Sequence, residues 1–447
     1  MMFSTPFKPL IVTLTLALGV SACGSDDDDA MGHLQLYNGS SNAPQVYLEL
    51  DETLYGSAEF SQATYTSDVE TGSYPAQLMW YDTYGQSQVV WEDDLNISSD
   101  QYTWVALVGD LEDAQVQQYQ FALESPEEGF DTRIFNLDTE LSLDVYYSAA
   151  HESFEDAQML QSVAPLEMTD THNLDLGDYK FYLTQSGEQT PIMESQGITF
   201  AYNNQYKLVI RDNLGAGAAP YSMDIVSLHY TTELVDTNNT AQVRVFNGYQ
   251  DIDNINWQVV GSTGESELTA LSHGHFSAPI ELEYGDYSMK SWNADSGELL
   301  SENHLLSLAA NEHQSVFYYR QFEEDEDSGE ITEYYRVLTS KDMVSDSLYS
   351  HQLQIANLSH SYTSIRVHLV RADETIDNAT YKVLGLGNAM GLLTLPNDSY
   401  QAMVTYVEDG QTLLLGSLDL GDLSEQSTSY LVVEETADGI ELLHLHD

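Results

Sequence analysis

The sequence predicts an all-β chain of four antiparallel β-sandwiches in tandem. Three observations predict this class: short strands that alternate apolar and polar residues, landmarks that recur roughly every hundred residues, and no sustained helical periodicity. Turn residues separate the strands at short intervals, as is typical of sandwiches. We therefore expect each repeat to be one two-layer module.

The first landmark is a strand that ends in asparagine, at Asn38, Asn136, Asn247 and Asn357. An alternating strand follows each asparagine and places apolar residues on one face only. These faces are Val46, Leu48 and Leu50; Leu143, Val145 and Tyr147; Ile255, Trp257 and Val259; and Ile365, Val367 and Leu369. A period of two with one polar face predicts half-buried antiparallel strands.

The second landmark is a Gly-x-Tyr sequence that opens a further strand. Its tyrosines are Tyr74, Tyr179 and Tyr287, and the fourth copy has Tyr400 after Asp398. Each tyrosine is expected either to pack in the core or also to bond its hydroxyl to nearby backbone, as in a tyrosine corner. A third landmark, a strand led by tyrosine, occurs at Tyr102, Tyr206 and Tyr430, with Gln314 in the remaining copy.

The order of these landmarks resembles a bacterial domain family of unknown function, whose members are tandem immunoglobulin-like modules of secreted and surface proteins. The resemblance implies four immunoglobulin-like β-sandwiches and an extracytoplasmic setting, and it brings no catalytic residues. We expect the modules to span residues 32–125, 129–231, 239–340 and 350–447.

The N-terminus has the layout of an export signal: Lys8, an apolar run over residues 10–20, and small residues before Cys23. Residues 20–23, Val-Ser-Ala-Cys, resemble the lipobox of bacterial lipoproteins. The resemblance implies that residues 1–22 are removed and that Cys23 is acylated. Gly24 then favours the outer membrane, facing either the periplasm or the cell surface. Residues 23–31 would be a lipidated acidic tether.

The charge composition of the chain limits the classes of partner that it is expected to bind. The chain carries 72 acidic and 13 basic residues, for a net charge of −59. Such a charge disfavours binding to nucleic acid and to anionic lipid, which both need lysine and arginine. We expect a membrane contact through the acyl anchor and a glycan or protein ligand. Cys23 is the single cysteine, so disulfides and thiolate metal sites are excluded.

Two sets of residues are candidate metal ligands. His444 and His446 lie two apart in a predicted strand and share a face, with Asp447 beside them, as a transition-metal site would need, and ordinary strand histidines are the simpler alternative. Asp325 and Asp327 alternate in an acidic run between two strands, as calcium ligands do. The alternative there is a solvated hairpin tip. We expect no cofactor beyond weak surface calcium.

Aromatic residues give a candidate binding patch. Tyr81 and Tyr84 follow an inward-facing Trp80 and are predicted to lie outward or in the turn. Exposed rings there suit a glycan, and cross-strand packing is the alternative.

The chain lacks the nucleophile-elbow, phosphate-loop and dinucleotide-binding motifs. The sequence therefore predicts a non-catalytic envelope lipoprotein for binding or adhesion. The alternatives are a structural spacer without a ligand and a hydrolase hidden in a divergent module.

Overall fold

The computed structural model describes residues 30–324, 329, 331–342, 344, 346–347, 349–362, 364–385, 390–424 and 427–446. Within these residues the chain forms 35 strands and two short 3-10 helices. The strands build eight sheets, which stack in pairs as four sandwiches, so the predicted all-β class is confirmed. No described helix is long and apolar enough to cross a membrane. The predicted export signal, Cys23, Asp325 and Asp327 lie outside the described residues.

Module 1 contains β1 to β9 and the 3-10 helix Leu111–Asp113. The strands are β1 (Met31–Asn38), β2 (Val46–Leu50), β3 (Thr53–Ala58), β4 (Gln62–Ala63), β5 (Ser67–Glu70), β6 (Gly72–Tyr81), β7 (Ser87–Ile97), β8 (Gln101–Val108) and β9 (Gln115–Ala122). One sheet has the order β4-β1-β8-β9 with β5 also on β1, and the other has the order β3-β2-β6-β7.

Module 2 contains β10 to β19 and the 3-10 helix Phe154–Asp156. The strands are β10 (Phe130–Asn136), β11 (Leu143–Ala149), β12 (Gln158–Val163), β13 (His172–Leu174), β14 (Gly177–Gln185), β15 (Met193–Glu194), β16 (Ile198–Phe200), β17 (Gln205–Asp212), β18 (Tyr221–Val226) and β19 (Thr231–Leu234). Its sheets are β13-β10-β17-β18-β19 and β12-β11-β14-β15, with β16 on β14.

Modules 3 and 4 contain eight strands each. Module 3 has β20 (Ala241–Gly248), β21 (Asn254–Gly261), β22 (Glu265–Ser272), β23 (Ile280–Leu282), β24 (Gly285–Asn293), β25 (Leu299–Leu308), β26 (His313–Glu324) and β27 (Ile331–Lys341). Module 4 has β28 (Ser350–Asn357), β29 (Ser364–Arg371), β30 (Thr380–Gly385), β31 (Met390–Pro396), β32 (Ser399–Glu408), β33 (Gln411–Asp422), β34 (Thr428–Thr436) and β35 (Gly439–His446).

All four modules share one topology. The opening strand runs parallel to the strand of the third landmark, as β1 does to β8, and every other strand pairing within a module is antiparallel. A separate apolar core fills each sandwich. The predicted inward positions are confirmed where they are clearest: Ile365, Val367 and Leu369 are fully buried.

In modules 1 to 3 the repeated asparagine joins the two sheets of its module. All four asparagines are buried. In each, Oδ1 accepts a hydrogen bond from the backbone N–H two residues later, as Asn38 does from Ser40 at 3.0 Å. In modules 1 to 3, Nδ2 also donates to a backbone carbonyl, such as that of Ala58. The asparagine therefore forms the turn out of the first strand and satisfies buried carbonyls.

The repeated Gly-x-Tyr tyrosine is a tyrosine corner in every module. Its hydroxyl donates to the backbone carbonyl four residues earlier: Tyr74 to Glu70, Tyr179 to Asp175, Tyr287 to Glu283 and Tyr400 to Pro396, over 2.6–2.9 Å. The structure thus decides between the two expectations for this residue in favour of the corner.

The tyrosines of the third landmark occupy two different faces. Asn38 pairs with Leu107, Asn136 with Ile210 and Asn357 with Val433. Tyr102 and Tyr430 precede those partners by an odd number of residues and Tyr206 by an even number. Because side chains alternate along a strand, this difference reverses the face. Tyr206 packs inside module 2, whereas Tyr102 and Tyr430 point out of their sandwiches.

Outward-facing aromatics dock the modules in pairs. Tyr37, Tyr102 and Trp104 of module 1 pack against Phe135 and Val209 of module 2, and we call this contact the first interface. In the second interface, Phe246 and Phe317 of module 3 pack against Leu358, Tyr430 and Val432 of module 4. Each pair is therefore a four-layer body with an apolar seam between its inner sheets.

Further contacts join the two pairs. A glycine-rich loop of module 2 lies on module 3, where the backbone N–H of Gly217 donates to Oδ1 of Asn311 at 3.0 Å. A Cβ at Gly217 would lie 1.8 Å from Cγ of Asn239, so only glycine fits. At the other side, Thr83 Oγ1 of module 1 donates to the Asn397 carbonyl of module 4 at 2.8 Å. The four modules consequently surround a cleft.

Candidate functional site

The central cleft has a volume of about 600 Å³ and is lined by side chains from all four modules. This size falls within the range of small-ligand sites, which occur preferentially where domains meet. The residues that give the cleft its chemistry are Tyr47, Glu59, Phe60 and Tyr81 of module 1, Arg211 and Glu233 of module 2, and Glu312 and Lys341 of module 3.

Two tyrosines form an aromatic wall. Tyr47 on β2 and Tyr81 on β6 stand on the outward face of one sheet, with ring centroids 4.9 Å apart and the rings edge to face. The Tyr47 hydroxyl donates to Oε1 of Gln45 at 2.8 Å, and burial raises the pKa of that hydroxyl. Tyr81 remains 39% exposed. Its ring is therefore held in position and is still accessible from the cleft.

The opposite wall is organised by Arg211 on β17. Its Nε donates to Oδ2 of the fully buried Asp224 at 2.8 Å, and NH2 donates to Oε1 of Glu233 at 2.7 Å. The Phe60 ring centroid lies 5.1 Å from the guanidinium carbon. A buried arginine thus fixes the Glu233 carboxylate at the edge of the cleft, where that side chain is 48% exposed.

Module 3 contributes an ion pair that is longer than those of Arg211. Lys341 is 69% exposed, and its Nζ lies 4.0 Å from Oε1 of Glu312. Glu312 is 12% exposed, and a long contact from an exposed lysine contributes little to stability.

The structure places the two tyrosines of the predicted aromatic patch in different surroundings. Tyr81 lines the cleft, whereas Tyr84 is 71% exposed in the following turn and is not among the cleft residues. Trp80 is half buried, with its ring 4.8 Å from that of Tyr349. One of the two predicted tyrosines is therefore placed to contact a ligand in the cleft.

The predicted histidine pair lies elsewhere, in a groove between modules 3 and 4. The rings of His444 and His446 are 4.3 Å apart, and Nε2 of His444 is 2.9 Å from Oγ of Ser429. Burial lowers the pKa of His444 to about 4. No group of three or more His, Cys, Asp or Glu side chains among the described residues is arranged to hold a metal ion.

Sequence reasoning missed most of the cleft. Tyr47, Glu59 and Glu233 read as outward residues of ordinary strands and turns. Arg211 carried a usable signal, because it follows the apolar run Leu208–Ile210 in a chain with 13 basic residues. Charged residues are rarely buried without a partner, so a basic side chain beside such a run points to a buried ion pair.

Comparisons with known proteins give no family. No protein-family model matches the chain, and no curated protein matches it. Among solved structures, the TIE protein of Bacillus anthracis is 9% identical, with 91% of this chain and 67% of that chain covered at a TM-score of 0.17. The major pilin subunit BcpA of Bacillus cereus is 10% identical, with 69% and 99% covered at 0.15.

The fimbrial anchor protein Mfa2 of Porphyromonas gingivalis is 12% identical, with 46% of this chain and 100% of that chain covered at a TM-score of 0.15. Scores at this level do not establish a shared arrangement of modules. The fold and the site described above therefore rest on the chain's own strands and contacts.

Proposed function

We propose that the protein is a non-catalytic lipoprotein of the bacterial cell envelope that binds a ligand in its central cleft, in the manner of an adhesin. The lipobox-like residues 20–23 and the acidic run after Cys23 support an acyl anchor followed by a solvated tether. The described modules would then form a single head that is displayed away from the membrane.

The observation that carries the proposal is that the cleft is shared by all four modules. A simple spacer needs only end-to-end joints, and nothing in that role requires module 1 to contact module 4. Here the Thr83 and Gly217 contacts close the modules around one space, and Tyr81 is left accessible within it. Rigid scaffolds that position exposed residues in this way are typical of binding proteins.

The absence of catalysis is part of the proposal and has its own support. The arginine and the lysine at the cleft are held in ion pairs, Arg211 with Asp224 and Glu233 and Lys341 with Glu312. An enzyme site would need an acid or base whose pKa is tuned near neutrality within reach of a substrate.

The ligand test compares two tyrosines. Full-length chains carrying Cys23→Ala, which removes the predicted acylation site, are applied to glycan and protein arrays with either Tyr81→Ala or Tyr84→Ala added. We expect Tyr81→Ala to weaken the affinity for the recognised ligand by about tenfold or more, as loss of an aromatic anchor does. Tyr84→Ala should leave that affinity unchanged. Equal effects of the two variants, or blank arrays, would favour the spacer function.

The anchor is tested separately by fractionation of cells. Cys23→Ala should move the protein from the membrane pellet to the soluble fraction, since the acyl chains supply the membrane affinity. Continued sedimentation of the variant with membranes would contradict acylation at Cys23.

A further inference from the structure

We infer that the cleft accepts a cationic ligand, namely an extended basic peptide segment of a partner protein whose lysine or arginine side chain lies between Glu59, Glu233 and the Tyr47–Tyr81 wall. The inference rests on the proposed function and adds the chemical class of the ligand.

The first argument is the charge balance of the cleft. Arg211 is shared by two carboxylates, Asp224 and Glu233, so this group carries a net negative charge. Lys341 is balanced by Glu312. Glu59 is exposed, and no ion pair among the described residues includes it. The cleft therefore has negative charge in excess at two of its lining side chains, Glu59 of module 1 and Glu233 of module 2.

The second argument is that the excess charge lies beside aromatic rings. The Glu59 carboxylate is near enough to Tyr47 to help raise the pKa of that hydroxyl, after burial and Tyr81. Ring faces attract ammonium and guanidinium groups, most strongly where a carboxylate is also in reach. The cleft already contains this combination once, because the Arg211 guanidinium lies over Phe60 and binds Glu233.

The third argument is the field of the whole protein. A net charge of −59 attracts cations toward any concave surface and repels anionic ligands. Charge complementarity raises association rates and excludes wrong partners, so an acidic or phosphorylated ligand is disfavoured. The open cleft, about 600 Å³ between four modules, suits several residues of an extended chain rather than a single small cation.

The experiment must separate the cleft from general attraction to an acidic surface. The probe is a short oligo-lysine peptide, titrated by calorimetry at physiological salt into the Cys23→Ala chain. The cleft variants are Glu59→Gln and Glu233→Gln. The matched controls are Glu188→Gln and Glu265→Gln, which remove the same charge from exposed positions in modules 2 and 3.

Each cleft variant should weaken binding about fivefold, and the two together should weaken it further, while each control changes it by less than about twofold. Carbodiimide cross-linking should join the probe to the peptides that contain Glu59 and Glu233. Glutamine preserves the shape of both side chains, and circular dichroism spectra identical to the parent chain confirm that the variants fold.

Equal losses in cleft and control variants would overturn the inference, because attraction would then be diffuse. A neutral oligosaccharide that binds and is lost in Tyr81→Ala would also overturn it, while leaving the proposed function intact. Failure of the proposed function looks different: the arrays are then blank, or Tyr81→Ala and Tyr84→Ala behave alike.

Discussion

The two interfaces between paired modules use similar aromatic seams and different polar groups. At the first interface, Tyr37 of module 1 donates to Oδ2 of Asp224 at 2.7 Å, and Arg211 completes a fully buried cluster. At the second, the Arg244 guanidinium lies 4.7 Å from both the Phe276 and the Tyr430 ring centroids, and its Nε is 3.4 Å from Oδ2 of Asp342.

The interfaces also differ in which groups titrate near neutral pH. The first buries Lys207, whose Nζ donates to the Tyr102 hydroxyl at 2.7 Å. The second contains histidines: Nε2 of His273 is 3.2 Å from Oε2 of the buried Glu434, and His444 shares Ser429 with His351. The two interfaces should therefore respond to pH through different groups, because a buried lysine lies at one seam and histidines lie at the other.

The largest expected difference between the two interfaces is the unfolding free energy that is lost when the carboxylate paired with the arginine is removed. Asp224→Ala leaves the Arg211 guanidinium buried beside Glu233 alone and should cost about 3–5 kcal/mol of unfolding free energy. Asp342→Ala should cost about 2 kcal/mol, because Arg244 is 15% exposed and retains two ring contacts. Urea unfolding followed by hydrogen exchange measures both, with exposed Asp286→Ala as the control. Equal losses of unfolding free energy for Asp224→Ala and Asp342→Ala would contradict this difference between the interfaces.

The sequence predicts the modules better than their docking, for a physical reason. When one face of a strand is buried inside a sandwich, apolar and polar residues alternate along its sequence. The cores and the Tyr74 corner could therefore be predicted from the sequence. Docking between sandwiches also buries outward residues, and then both faces of a strand look apolar. Tyr102 and Tyr206 have the same local context, and only the strand register shows that they face different ways. The cleft arises from contacts between distant segments and leaves no local pattern.

Replacing the buried lysine should strengthen the first interface. No carboxylate among the described residues pairs with Lys207, and burial holds the pKa of its amine well below the usual value. The unfolded chain binds a proton there that the folded chain does not, so stability should rise with pH toward 10. Lys207→Met removes that proton-linked cost and should stabilise the protein by about 1–2 kcal/mol at neutral pH.

Thermal unfolding across pH measures this change, and Lys290→Met, at an exposed position, is the control. In the variant, the Tyr102 hydroxyl still donates to Gln35, so no polar atom of that pair loses its partner. A destabilised Lys207→Met chain with a normal fold would show that the amine contributes net stability.

The second interface should weaken above neutral pH. The Glu434 carboxylate, 3.2 Å from Nε2, raises the pKa of His273 above 6.5. A raised pKa means that the pair contributes fully below 6.5 and that this stability is lost as pH rises through the folded value. Hydrogen exchange in β34, corrected for its intrinsic pH dependence, should therefore be faster at alkaline pH. His273→Gln should abolish the change, and exposed His229→Gln should not. A wild-type β34 that exchanges equally across this range would contradict the prediction.

The other histidine of this interface, His444, is expected to act with the opposite sign. Burial, together with His446 and His351, lowers its pKa from 6.5 to about 4. The neutral form is favoured in the fold, so stability should fall as pH drops from 6.5 toward 4. His444→Gln should reduce this loss of stability at acidic pH. His151→Gln, at an exposed position, is the control. Because the two histidines act in opposite directions, the second interface should be most stable near their common unfolded value. The double variant His273→Gln, His444→Gln should remove that optimum.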